Sequence, residues 1–390
     1  MKKKVLMLFK YPHGHWNIPV IKRFSNYYDV ESLYLSDVKN KNFTETVKEI
    51  NNFIEEKKIE ITVFDVDYFK FINFFFIEKI NCNKKILITG DDFELHEMNS
   101  ITASACDFVL SPCPLSVLKY KEKAYQAFFI PYETGKDTNN INKKEIDVLF
   151  FGELTSDRKE ILNYISQQGI NLKNVGFDLS NPVKQSDEAL LNLILKSKIV
   201  LNLSKSRSRS SVNNYSSENA FKFYYQFKGR VWDAGLYGVL CVSEYSPAQE
   251  IFFKNNEIPT FFTKEECVAV LKKLLSNDKL LIDYNEKFTK RVNELIDEKK
   301  NFEPIYNAIE KMDYKRVKLH KFPYWYLRLS AKQVILRNLK FSTLLKSLLQ
   351  FNIIFKVINN SNFFIKFIII FESMLNILWY SLAFTLKPKK

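Results

Sequence analysis

Short apolar runs of strand length recur along this chain with longer helix-like stretches between them, and the alternation occurs twice. In the first half the predicted strands are Val5–Phe9, Ile61–Phe64, Lys85–Thr89, Phe108–Leu110 and Phe128–Ile130. Helical patterns at Thr44–Lys57, Phe69–Ile80 and Pro114–Lys123 separate them. Parallel strands need a long crossover, usually a helix, so this order predicts βα units in a parallel sheet. A polar stretch, Glu133 to Lys144, interrupts the pattern and reads as a linker. The alternation then restarts with predicted strands Ile146–Phe151, Lys198–Leu203 and Val239–Val242. Helical segments Arg158–Gln168, Asp187–Lys196 and Lys264–Leu275 fall between or after them, and a polar helix runs to about Met312. The expectation is α/β: two Rossmann-like domains, 1–140 and 145–312, facing a cleft. Ligands of open parallel sheets bind beyond the carboxyl ends of the strands, so the cleft is the expected site.

Charge separates a third region. The 390 residues carry a formal net charge of +14, which alone would point to nucleic acid or an anionic membrane. The stretch from Tyr314 to Lys390, however, holds fourteen Lys/Arg and a single acid, Glu372, leaving 44 bases and 43 acids elsewhere. The body is thus nearly neutral, which argues against nucleic acid. The tail places bases among aromatics and aliphatics, as in Phe322-Pro-Tyr-Trp-Tyr-Leu-Arg. Residues 313–390 therefore read as a basic amphipathic and hydrophobic helical extension that lies in a membrane interface. The apolar stretch Phe363 to Leu386 is interrupted by Lys366, Glu372 and Asn376 and is marginal as a spanning helix. The basic start Met1-Lys2-Lys3-Lys4 precedes an apolar run too short for a signal-peptide core. The expected location is cytoplasmic, attached peripherally to the inner face of the membrane. The cysteines, Cys82, Cys106, Cys113, Cys241 and Cys267, lack the C-x-x-C spacing, and four histidines are few for a metal site. Buried, reduced thiols are the expectation.

The most informative stretch is Lys228-Gly-Arg-Val-Trp-Asp-Ala-Gly-Leu-Tyr-Gly-Val-Leu-Cys-Val-Ser-Glu-Tyr-Ser-Pro-Ala-Gln-Glu-Ile-Phe. Two bases precede a short helix that carries one acid and leads through Gly238 into a buried strand. Glu244 ends that strand, and Glu250 follows a Ser-Pro helix start. Cations at a helix N-terminus can hold a diphosphate, and a carboxylate on the same surface can accept from ribose hydroxyls. This gives a nucleotide site without a glycine-rich loop.

The stretch resembles the donor-binding half of GT-B glycosyltransferases, in particular the group similar to the spore-maturation CgeB-type and group 1, family-4-like proteins. Asp147-Val-Leu-Phe-Phe-Gly-Glu-Leu-Thr-Ser-Asp-Arg resembles the opening of their donor domain. Gly90-Asp-Asp-Phe, Ala105-Cys-Asp-Phe-Val-Leu-Ser and Tyr132 resemble the late part of their acceptor domain. The resemblance covers roughly 85–312 and implies a nucleotide-diphosphate sugar as donor substrate, with no further cofactor. It implies Asp233 as the acid that holds the ribose, Arg230 with Lys228 as the diphosphate clamp, and Arg158 as support from the other wall. Related retaining families carry a Glu eight residues before the ribose acid. Here that position is Tyr225, and Glu244 and Glu250 are left to take donor contacts.

Other residues carry alternatives. Tyr11-Pro-His-Gly-His-Trp-Asn follows the first strand, so His13 or His15 is a candidate general base, set against a structural role for either. Asp91 and Asp92 follow the third predicted strand and can take the acceptor proton or orient a histidine. Arg207 and Arg209, in Ser204-Lys-Ser-Arg-Ser-Arg-Ser-Ser, can meet a phosphate or belong to a solvated loop. Asp65-Val-Asp67 matches a metal motif of another glycosyltransferase class, but the two-domain pattern favours metal-independent chemistry, with no metal ligands. The leading reading is a glycosyltransferase acting on a membrane-associated glycan or lipid-linked acceptor of envelope biosynthesis. The alternatives are a GT-B-fold nucleotide-sugar epimerase and a non-catalytic membrane-surface scaffold.

Overall fold

The fold was analysed in a computed structural model, which describes residues 2–9, 17–36, 43–65, 72–90, 92–131, 144–178, 185–205, 225–311, 316–319 and 321–330, together with 368, 371, 372 and 375. Two all-parallel sheets organise it. The first has six strands in the order β2-β1-β3-β4-β5-β6, with β1 Lys4–Phe9, β2 Asp29–Tyr34, β3 Ile61–Asp65, β4 Lys84–Ile88, β5 Phe108–Ser111 and β6 Ala127–Phe129. The second has five in the order β11-β10-β9-β7-β8, with β7 Ile146–Phe150, β8 Leu172–Asn174, β9 Ser197–Asn202, β10 Leu240–Glu244 and β11 Thr260–Phe261. The predicted strands are all present, within a residue or two at each end. Three further strands, β2, β8 and β11, are edges. An edge strand need not be apolar on both faces, so β2, with the sequence Asp-Val-Glu-Ser-Leu-Tyr, lacks the continuous run that betrays a central parallel strand.

Alternation along the strands builds two cores in the first domain. Leu6 and Leu8, Phe64, Leu87 and Val109 face one side, where helices Phe43–Lys57, Phe74–Glu78 and Pro114–Glu122 supply Ile50, Phe76 and Tyr120. Val5, Met7 and Phe9, Ile61 and Val63, Ile86 and Ile88 face the other. There, among the described residues, the first domain supplies helix Asn17–Ser25, through Val20 and Phe24. The rest of that face is covered by Phe302, Ile305, Tyr306 and Ile309, which follow the second domain in sequence. Helix Glu303–Lys311 brings Tyr306 into stacking contact with Tyr27, centroids 4.0 Å apart, and edge-on against Phe24 at 5.5 Å. Lys84 Nζ donates to the Ile309 carbonyl, 2.5 Å away. Within the expected second domain, 145–312, residues 302–309 thus pack into the core of the first.

The start of the tail also packs on the first domain. Arg316 meets Asp107 at 2.8 Å and Glu78 at 3.5 Å, at the amino end of β5. Phe322, Tyr326 and Leu327 then pack with Ile101 against Phe74 and Phe75. The Tyr326 hydroxyl lies 2.9 Å from the Phe74 amide, which donates to it, and 2.9 Å from the Thr102 hydroxyl. Residues 316–319 and 321–330 are thus a strap packed on the first domain, at the start of the region, 313–390, that the sequence led us to expect at a membrane interface. Among the described residues no helix is long and apolar enough to cross a membrane.

The second core surrounds Trp232, which is 1% exposed and ringed by Phe227 and Phe252. Phe129 of β6 reaches across to Phe252 at 4.8 Å and Trp232 at 6.0 Å, so the first domain's last strand touches the second domain's core. Helix Gly229–Leu236 lies so near helix Asp278–Leu295 that a Cβ on Gly235 would stand 2.4 Å from Val292. Cys106, Cys113, Cys241 and Cys267 are buried free thiols, as expected, and Cys82 is a half-buried one.

Candidate functional site

The carboxyl ends of β7, β9 and β10 meet in one buried polar network. Arg230, in the first turn of helix Gly229–Leu236, is 7% exposed. Its Nε donates to Asn202 Oδ1 at 3.2 Å, its Nη2 to the Leu203 carbonyl at 3.0 Å, and its Nη1 to the Phe151 carbonyl. Arg158, equally buried, donates to the carbonyls of Glu153 at 2.7 Å, Lys205 at 3.1 Å and Leu203 at 3.3 Å. Both guanidiniums share the Leu203 carbonyl. They brace the loops that follow β7 and β9, using the forked geometry that lysine lacks. Burial, then the neighbouring Arg158 charge, brings the Arg230 pKa down to about 9, with Asp233 and Glu244 opposing. Gly152 makes room for this arrangement. Its φ of +114° is the region that favours glycine, and a Cβ there would stand 2.5 Å from Arg230 Nη1.

Glu244 is 5% exposed, and its carboxylate accepts the backbone N–H groups of Ser204 at 2.7 Å and Lys205 at 2.9 Å. Burial raises its pKa, while those two amides and the nearby cations pull the other way. Asn202 donates to the hydroxyls of Ser243 and Ser204, 2.8 and 3.0 Å away, and Gln249 Nε2 donates to Ser243 Oγ and, at 3.1 Å, to the Glu244 carbonyl. An antiparallel bridge between Lys205 and Tyr225 and an ion pair of 2.5 Å between Lys205 and Asp157 close the same end. Lys228, half-buried, is the N-cap of helix Gly229–Leu236. The Lys228 side chain makes no capping hydrogen bond to its own helix, and its Nζ lies 2.5 Å from Gln226 Oε1. Asp233 sits half-buried on the same helix.

The structure therefore brings Arg158, Lys228, Arg230, Asp233 and Glu244 to one end of one sheet, but divides their work differently from the expectation. Arg158 and Arg230 hold backbone carbonyls, so they are bracing residues whose charge acts on the site from beneath. Glu244 fixes the start of the loop after β9, where the sequence reading assigned it a donor contact. Lys228 stands at the N-terminus of helix Gly229–Leu236, the positive end of its dipole. Glu250 is turned elsewhere: it accepts the Tyr245 hydroxyl proton at 2.7 Å and lines a pocket beside edge strand β11.

In the first domain the expectation for Asp92 is corrected. It is fully buried, and its carboxylate accepts from Ser111 at 2.5 Å and from Thr89, Asn99 and Tyr120, each at 2.9 Å. Burial raises its pKa against those four donors. A carboxylate so enclosed ties β4 and β5 to their helices and has no oxygen turned to an acceptor. His13, His15, Asp91, Arg207 and Arg209 lie outside the described residues, as does Asp67. The sequence reading missed His96, one turn beyond Asp92. It is 9% exposed and its ring lies 4.5 Å from that of Tyr120. It also missed Asn202, Ser243 and Gln249; the strand-end position of Asn202 was the available signal. Among the described residues no cluster has the makings of a metal site.

Residues 149–297 match the family model described as glycosyl transferase-like. No curated protein matches the chain by sequence. Among solved structures, a glycosyltransferase from Rickettsia africae is similar at TM-score 0.52 and 11% identity, over 80% of this chain and 100% of that one. Anabaena HepE in complex with UDP-glucose is similar at TM-score 0.51 and 10% identity, over 79% and 100%. Sucrose-phosphate synthase of Thermosynechococcus elongatus is similar at TM-score 0.51 and 7% identity, over 79% and 99%. The fold is GT-B, the two-domain architecture of nucleotide-sugar glycosyltransferases. Within it, the arginine network lies inside the segment that matches the glycosyl transferase-like model.

Two measurements check these assignments. Replacing Arg230 with Ala strands two buried acceptors, Asn202 Oδ1 and the Phe151 carbonyl, while Arg158 still reaches the Leu203 carbonyl; at about 1–3 kcal/mol each, Arg230→Ala should lower unfolding stability by about 2 kcal/mol or more in a denaturant titration. An unchanged midpoint would show that Arg230 braces nothing. Burial, with Lys123 and Lys119 nearby, lowers the His96 pKa from 6.5 to about 3. A depressed folded-state pKa means stability is full above pH 6.5 and is lost as pH falls towards 3. Between pH 7 and 5 the denaturation midpoint should drop more steeply in the natural chain than in His96→Gln. Parallel slopes would count against the assignment.

Proposed function

We propose that this chain is a glycosyltransferase that moves a sugar from a nucleotide-diphosphate donor to a membrane-associated glycan or lipid-linked acceptor. The observation that carries the donor half is the convergence of Arg158, Arg230 and the helix N-terminus at Lys228 within the segment that matches the glycosyl transferase-like model. Two guanidiniums fixed to carbonyls, with Glu244 as a nearby carboxylate, leave a positive floor at the strand ends. Charge that develops on a departing nucleoside diphosphate would be met by that floor, by Lys228 and by the helix amides. This preorganised charge supplies the electrostatic part of catalysis from the protein itself, without a metal. Asp233 is the group proposed to hold the ribose, on the helix whose terminus meets the phosphates.

The acceptor half rests on the tail. Beyond the strap, the chain carries the bases and apolar residues that make its last 77 residues so unlike the neutral body. Phe371 and Leu375 are 53% and 50% exposed, while Glu372 between them pairs with Arg328 at 2.8 Å. A basic segment with outward aromatic and aliphatic side chains suits an anionic lipid surface. In this reading the enzyme sits peripherally at the cytoplasmic face of the membrane and works in cell-envelope glycan synthesis.

Incubated with a panel of nucleotide sugars and a membrane extract, the protein should release nucleoside diphosphate and label a lipid-extractable or glycan acceptor. Lys228→Ala and Asp233→Ala should each slow release by about a hundredfold. Release at the natural rate in both variants would refute the donor site, and interconversion of the free donor without acceptor labelling would refute transfer. In a separate test, the full chain should sediment with phosphatidylglycerol vesicles, whereas a chain ending at Ser330 should stay in the supernatant. Equal sedimentation of the two would remove the membrane role of the tail.

A further inference from the structure

A second site lies outside the cleft. Beside edge strand β11, between helices Gln249–Phe252, Lys264–Leu275 and Asp278–Leu295, is a pocket of about 400 Å³. That volume is within the range of small-molecule sites, roughly 300–1,000 Å³. Its mouth carries Phe262, a phenyl ring 65% exposed, which is the most exposed large apolar side chain among the described residues. The ring is not loose. It stacks on Tyr245 with centroids 4.7 Å apart and planes 27° from parallel. The Phe262 amide donates to Glu266 Oε2 at 2.8 Å, beside the capping box that starts helix Lys264–Leu275. Tyr245 is fixed in turn by donating its hydroxyl to Glu250 at 2.7 Å. An aromatic face is thus held open to solvent on a rigid backing.

The polar groups around it narrow the ligand. Glu250 can accept from hydroxyls, Asn255 can accept from or donate to them, and the Tyr245 oxygen keeps lone pairs for a donor. Lys254 and Lys273 also line the pocket, and neither ammonium is in an ion pair among the described residues. A purely apolar ligand would desolvate all these groups without replacing their hydrogen bonds. A pyranose offers the complement: an apolar C–H face for the ring and equatorial hydroxyls for the carboxylate and amide. The two lysines call for an anionic substituent on that sugar. We propose that the β11 edge of the second domain is a binding subsite for a saccharide bearing a carboxylate, such as a uronic acid unit. This rests on the reading of the chain as a glycan-handling enzyme, in which the subsite would grip a part of the acceptor or product remote from the transferred sugar.

Calorimetric titration of the full chain with trigalacturonate and with maltotriose tests this without any donor present. Trigalacturonate should bind at least about tenfold more tightly than the neutral trisaccharide, and Phe262→Ala and Lys273→Glu should each weaken it at least about tenfold. Neither residue supports the core, and Phe262→Ala should leave nucleoside diphosphate release unchanged. Absence of trigalacturonate binding, equal affinity for maltotriose, or binding indifferent to Phe262→Ala would each overturn the subsite. The release assay reports on the glycosyltransferase reading separately. Saccharide binding at Phe262 with no donor turnover would keep the subsite and remove the enzyme, and donor turnover with no saccharide binding would do the reverse.

Discussion

A parallel sheet must be covered on both faces, because its central strands are apolar throughout. In the first domain that requirement is met in part by borrowing. Its connections put helices Phe43–Lys57, Phe74–Glu78 and Pro114–Glu122 on one side and helix Asn17–Ser25 on the other. The sheet has six strands, and among the described residues of the first domain a single helix, of nine residues, covers the remaining face. Further cover comes from helix Glu303–Lys311, beyond the second domain in sequence, with Ile305, Tyr306 and Ile309 packed into the core formed by β1, β3 and β4. The domains are therefore tied by a shared core as well as by a linker, and the strap 316–330 extends the tie around to the other side.

The second domain solves a different problem, that of holding charge at the ends of strands without open solvent. Arg158 and Arg230 would be costly to bury unpaired, since desolvating an ion is compensated only by good hydrogen-bond geometry. Here backbone carbonyls from the loops after β7 and β9 provide it, and Glu244 reinforces one of those loops by accepting two of its amides. Gly152 belongs to the same solution, because any side chain there would collide with Arg230. The site is stiff for the same reason that it is charged.

The central strands were legible in the sequence because burial on both sides writes continuous apolar runs such as Val-Leu-Met-Leu-Phe in β1. Edge strands β2 and β8 were not, since one flank faces solvent and tolerates Asp, Glu, Lys and Asn, and β11 is only two residues long. Lys228, Arg230, Asp233 and Glu244 could be picked out as a group, because the helix-to-strand motif fixes their spacing. Their division of labour could not. Whether a guanidinium points to a ligand or to a carbonyl depends on residues such as Asn202 and Leu203, far away in sequence. Asp92 misled for a similar reason: its position after β4 is that of a cleft residue, but Ser111 and Tyr120 enclose it from the next βα unit. The tail's composition likewise concealed the contacts of Tyr326 and Arg316, which use aromatic and basic side chains for packing against their own protein.

The borrowed helix also sets the order in which the molecule can assemble during synthesis. Strand β6 ends at Phe129, but Ile309 must emerge before the first sheet is closed. At roughly 5–20 residues per second that interval is on the order of ten to a few tens of seconds. During it, the part of one sheet face that Ile305, Tyr306 and Ile309 cover lacks that cover, while the second domain, whose core draws on nothing downstream of Ile296 among the described residues, can already form. The core of the N-terminal half is thus complete only after the second domain has been synthesised, and until that distant helix arrives it carries a nascent apolar patch open to other chains.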